Sequence, residues 1–158
     1  MGQRAEALAA KIESAVNDLA AAIEAGDDAK WASVCAGEQW SVGVTTHHVA
    51  FGHLEGGAGF VRALAAGQGV PPVTMEMIDQ GNAAAAEANA NCGREETLAS
   101  LRTNAAATVD FVRGLSDAQL DTTAPMAFAG GAELSTEQVI NAVLISSLAE
   151  HVTSVRSA

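Results

Sequence analysis

The sequence has little of what announces most functions. Among 158 residues there is no tyrosine, and there are four phenylalanines, two tryptophans, three prolines, two cysteines and eight Lys and Arg together. Two cysteines, Cys35 and Cys92, cannot make a disulfide framework or a paired zinc motif, so a cytoplasmic protein with reduced thiols is expected. Eight cations against nineteen acids leave a net charge of −11. Gripping a phosphate backbone needs clustered Lys and Arg, so nucleic acid is excluded as a partner. The same charge is repelled by anionic membrane surfaces. No apolar run approaches the roughly 18 residues that cross a bilayer. The opening residues, MGQRAEALAAKIESA, contain acids and no apolar stretch with a cleavage site, so no secretory leader is expected.

What remains is alanine and helix periodicity. Apolar residues make up 49% of the chain and aromatics 4%; alanine is the strongest helix former, and β-branched alternation is scarce. The length fits one domain, residues 1–158. Leu8, Ile12, Val16, Leu19 and Ile23 recur three and four apart and predict a first helix over 4–25. Ser41 is placed to cap a second helix, 41–66, which the run Gly67-Gln68-Gly69-Val70-Pro71-Pro72 breaks. A short alanine-rich helix, 74–90, precedes a third long one, 94–115. Ser116 and Ser135 each open a capping box. The first begins a single turn, and the second begins the last helix, 135–157; a loop with Pro125, Gly130 and Gly131 lies between. The expected fold is an all-α four-helix bundle, with a long crossover between helices two and three and one short extra helix. Such a crossover lets helices two and three run parallel, with helix four against both.

That topology brings the start of helix two level with the end of helix four, and so brings His47 and His48 level with His151. At about 100° per residue, Val44, Phe51 and Ala58 define the inner side of helix two. His47 and His48 then fall on its flanks, and His53 points away into solvent. Imidazoles converging from different helices are how bundles build metal sites. The plainer alternative is a pair of half-buried histidines with ordinary hydrogen-bond partners.

The segment Trp40-Ser41-Val42-Gly43-Val44-Thr45-Thr46-His47-His48-Val49-Ala50 resembles the signature that opens the second helix of the DinB-like superfamily. That superfamily includes the N-terminal domain of mycothiol-dependent maleylpyruvate isomerase and the bacillithiol transferases. Ile145 to Arg156 resembles the family's last helix, which carries two ligands four residues apart. The resemblance implies a crossover bundle, often dimeric, holding a divalent metal such as zinc or nickel on three residues. Carried over by position, the ligands are His48 and His151, and the third ligand position falls on Ser147. A serine hydroxyl is a poor ligand for either metal. His47 or Glu150 is then the substitute candidate, or water or substrate fills the place, or the metal is lost.

Two functions follow. One is a metal-dependent enzyme with a degraded metal site acting on a small molecule, as a thiol transferase, isomerase or hydrolase, with a low-molecular-weight thiol as nucleophile. The other is a non-catalytic small-molecule-binding bundle that has lost its metal. Trp40 reads as a packing anchor, and Cys35, with no basic neighbour in the sequence, as inert. Gly52, Gly56, Gly57 and Gly59 within one helix suggest close approach of another helix, and with the family habit they imply a homodimer.

Overall fold

Helix α1 (Gln3–Ala25) buries Leu8, Ile12, Val16, Leu19 and Ile23, the stripe its spacing dictates. The computed structural model describes residues 2–158. After α1, Asp27 caps the short helix α2 (Asp28–Ala32) by accepting from the Lys30 N–H. The chain then folds back on itself. Val34 and Ser41 form an isolated bridge, and the Cys35 N–H bonds the Trp40 carbonyl at 2.8 Å. Residues 33–41 are thus a tight, internally bonded loop.

Ser41 caps the second long helix by accepting from the Val44 N–H at 3.1 Å. This helix changes character along its length. It begins as α3 (Val42–His48), widens into a π-helical segment (Val49–Gly57), and returns to α-geometry as α4 (Ala58–Ala65). The crossover carries α5 (Met75–Ala88), capped by Thr74 and burying none of its residues. Then come α6 (Arg94–Arg113) and α7 (Asp117–Leu120), the latter opened by a full capping box between Ser116 and Gln119.

The loop expected next is partly ordered. Thr123–Met126 (β1) and Ala132–Ser135 (β2) pair antiparallel, and the turn uses Gly130 and Gly131 at φ 66° and 85°. Only glycine takes that conformation cheaply. Ser135 and Gln138 make the second capping box. The last long helix again has three parts, α8 (Thr136–Val139), a π-helical segment (Ile140–Ser146) and α9 (Ser147–Ser157).

Contacts between helices fix the topology. Asn104 and Thr108 of α6 donate to the carbonyls of Ala50 and Leu54, at 2.9 and 2.6 Å. The matching increments mean that the second and third long helices run parallel. His53 bonds the Val143 carbonyl while His48 lies near His151, so the last helix runs antiparallel to the second. Arg113 pairs with Glu6 and Arg94 bonds the Ile23 carbonyl, which sets α1 against α6. This is the expected four-helix bundle with a long crossover. Its centre is aliphatic, with Ile12, Leu19, Leu64, Leu101, Ile140, Leu144 and Leu148 fully buried.

Candidate metal centre

Three imidazoles meet between the second and last long helices. His48 is the last residue of α3, His53 lies in the π segment, and His151 lies one turn into α9. Ring centroids are 4.8 Å apart for His48 and His53, 5.1 Å for His48 and His151, and 5.0 Å for His53 and His151. One ligand nitrogen from each ring lies within 4.8 Å of the other two.

His53 corrects an expectation. An α-helical step of about 100° separates residues five apart by about 140°, which sends His53 outward when His48 faces in. In a π-helical turn each N–H reaches the carbonyl five residues back, so residues five apart stack on nearly the same face. His48 and His53 have that spacing, and the intervening segment is π-helical. His53 is therefore only 8% exposed. Phe51 shifts with it: expected on the inner side, it is 37% exposed. It stacks on His47 with centroids 4.4 Å apart. His47 stands outside the three-imidazole group, and Glu150 is exposed. Ser147 begins α9, half-buried, one turn before His151.

The second π segment serves the same cluster. In an α-helix the Ser147 N–H would bond the carbonyl of Val143, four back. Here it bonds Ala142, five back. The Val143 carbonyl accepts instead from His53 Nδ1, at 2.9 Å. A carbonyl can only accept, so His53 carries its proton on Nδ1 and has a lone pair on Nε2. His151 is held in the same way. Its Nδ1 lies 2.6 Å from Glu38 Oε1, and Ser154 donates to the other carboxylate oxygen. The two Nε2 atoms then lie 3.1 Å apart. With both rings neutral, two lone pairs face each other, which repels unless a cation or a proton sits between them.

Burial dominates the electrostatics here. It pushes His48 down to about 3 and His53 down to about 4, and the neighbouring imidazoles push the same way. The Val143 hydrogen bond opposes this at His53 without reversing it. Burial also works against ionised Glu38, but donation from Ser154 and His151 outweighs it and holds the carboxyl below its usual range. His48 and His53 are thus presented as neutral imidazoles, the form that binds metals.

The donor set fits a divalent ion. Two nitrogens on a tetrahedral ion at about 2.0–2.1 Å stand about 3.3 Å apart, close to the separation seen for His53 and His151. Each of these two rings also gives its remote N–H to a carbonyl or a carboxylate, the usual arrangement behind metal-binding histidines. Trp40 packs against the His48 ring, centroids 5.3 Å apart. A Cβ on Gly52 would lie 2.8 Å from His48 Nδ1, so this glycine leaves room for the ring. Cys35 is fully buried and its thiol is pushed up by that burial, so it is not an activated nucleophile.

The profile of the mycothiol maleylpyruvate isomerase N-terminal domain matches residues 12–142. The chain belongs to this family, within the DinB-like group. Among solved structures it is similar to YfiT from Bacillus subtilis, described as a probable metal-dependent hydrolase with an unusual four-helix bundle topology. The TM-score is 0.77 at 14% identity, over 99% of this chain and 87% of YfiT. That likeness establishes the fold. No match is found among curated proteins. No helix among the described residues is long and apolar enough to cross a membrane.

Proposed function

We propose that this DinB-like chain is a metal-dependent enzyme acting on a small molecule, with His48, His53 and His151 as the ligands of one divalent ion. The reading rests on the two Nε2 atoms of His53 and His151, which lie 3.1 Å apart while both rings give their Nδ1 protons elsewhere. His53 completes the set that Ser147 leaves short, so the site is rebuilt rather than degraded. Three imidazoles suit zinc or nickel. Bound there with an open position, such an ion lowers the pKa of a thiol or water that reaches it. The chain's own part is to hold three lone pairs convergent, exclude bulk water with Trp40 and the aliphatic core, and keep His48 and His53 unprotonated at neutral pH. YfiT's description and the family's link to mycothiol support a low-molecular-weight thiol or water as the nucleophile.

We also infer a homodimer, formed through the outward strip of the second helix. Phe51, Gly52, Gly56 and Gly59 are all exposed there. A Cβ on Gly59 would meet nothing within 4 Å, so nothing inside the protomer requires that glycine.

The metal reading is tested on protein made without a histidine tag and supplied with micromolar zinc or nickel. Mass spectrometry should find about one ion per chain, the occupancy of a single three-ligand site. His48→Ala, His53→Ala and His151→Ala should each lose it, while Ser147→Ala retains it. A wild-type protein that holds no metal removes the enzyme reading and leaves the non-catalytic binding bundle. Loss of metal in Ser147→Ala, with His53→Ala unaffected, returns the third position to the last helix.

A further inference from the structure

We propose that Glu38 is the positioning carboxylate of this centre, fixing His151 as the Nδ1–H tautomer so that its Nε2 lone pair faces His53. This rests on the metal reading for its purpose, but the geometry behind it is independent. Both oxygens of Glu38 are engaged on the side of His151 remote from the cluster. Oε1 faces His151 Nδ1 at 2.6 Å, and Oε2 accepts from the Ser154 hydroxyl. The carboxylate therefore stands behind the ring and touches nothing that would sit between the imidazoles. The Glu38 and His151 side chains are only 12% and 14% exposed. An ionised group so placed is retained only when its oxygens are satisfied.

The loop that presents Glu38 is built to hold it still. Residues 33–41 are closed by the Val34–Ser41 bridge, by the Cys35 N–H to the Trp40 carbonyl, and by the Gln39 N–H to the Cys35 carbonyl at 2.9 Å. Gln39 is the single non-glycine residue at positive φ among the described residues, at 60°. A side chain there costs energy, and surrounding contacts must hold it in place. The residues on either side of Gln39 face the centre: Glu38 meets His151, and Trp40 packs against His48. One short loop thus orients rings from two different helices. Ser154, one turn after His151 on α9, keeps the carboxylate from rotating away.

Partners of this kind are worth about 10–100-fold in metal affinity elsewhere. Glu38→Gln keeps the shape, but its amide can turn an N–H toward His151 Nδ1 and so favour the other tautomer. Zinc affinity, measured by competition with a chelator, should fall about 10–100-fold in Glu38→Gln, with the ion-to-chain ratio at saturation unchanged. Glu38→Asp, one methylene short, should fail to restore it. The readout that a merely structural role would not move is the nitrogen NMR spectrum of His151 in metal-free wild-type protein at neutral pH. It should show a protonated Nδ1, and Glu38→Gln should populate the form protonated on Nε2 alone. A wild-type protein that binds zinc equally well as Glu38→Gln overturns the proposal, as does a wild-type His151 protonated on Nε2 alone. The spectrum decides even if Glu38→Gln does not fold. If wild-type protein binds no zinc yet His151 shows the Nδ1–H form, the metal reading has failed and the role of Glu38 in fixing the ring stands.

Discussion

At the scale of single residues, the histidines carry the chemistry and also a cost. His48 and His53 are held neutral, with burial pushing them to about 3 and about 4. In the unfolded chain a histidine takes up its proton near pH 6.5. Between those values the unfolded state binds more protons than the folded one, so acidification favours unfolding. The contribution is fully present above about pH 6.5 and drains away as the pH falls toward the folded values. For the metal-free protein, the urea midpoint should drop between pH 7 and pH 5, a window above the ordinary range of the carboxylates. A His48→Phe, His53→Leu double variant should flatten that drop. An unchanged slope in the double variant would mean that the two rings are not buried neutral. How legible these residues were depends on helix geometry. His48 and His151 could be brought level by counting, because direction and length survive local irregularity. His53 and Phe51 exchanged places, because a 100° step does not hold across Val49–Gly57.

At the scale of elements, capping and stripes were legible because they are local. Ser41, Ser116 and Ser135 cap the helices that their positions announce. The β1–β2 hairpin leaves no strand signal in the sequence because its strands are four residues long and carry little alternation. The π segments leave only an indirect trace: polar Asn104 and Thr108 sit four apart on α6. Widened helices misalign backbone carbonyls, and those two side chains supply donors to Ala50 and Leu54. Thr108 is fully buried. Thr108→Val keeps the shape but removes the hydroxyl's bond to the Leu54 carbonyl, so it should cost about 0.5–1.5 kcal/mol in a urea melt. A second effect belongs to the same element: His53 rides on this segment, so metal retention should weaken alongside stability. A neutral outcome on both counts would mean that the π turn does not depend on α6.

At the scale of the whole molecule, the glycines of the second helix separate into two kinds. Gly52 makes room for the His48 ring, and a Cβ on Gly57 would lie 2.9 Å from Val143 Cγ1 of the last helix, so both are explained within one chain. The close helix approach expected from the sequence is real at Gly57 and is made by the chain's own last helix. Gly59 has no such partner, yet an interior helix glycine costs about 1 kcal/mol relative to alanine. A second copy packing on the exposed strip beside Phe51 would account for that cost, since close backbone approach is what glycine permits. The protomer has open space at this position, so Gly59→Arg should leave helix content and metal binding intact. In a dimer built on this strip, the same change places two bulky cations at the contact and should yield monomer. Sedimentation equilibrium over a range of concentrations decides it. Dimer mass retained in Gly59→Arg moves the interface elsewhere on the bundle, and monomer mass in the wild type removes it.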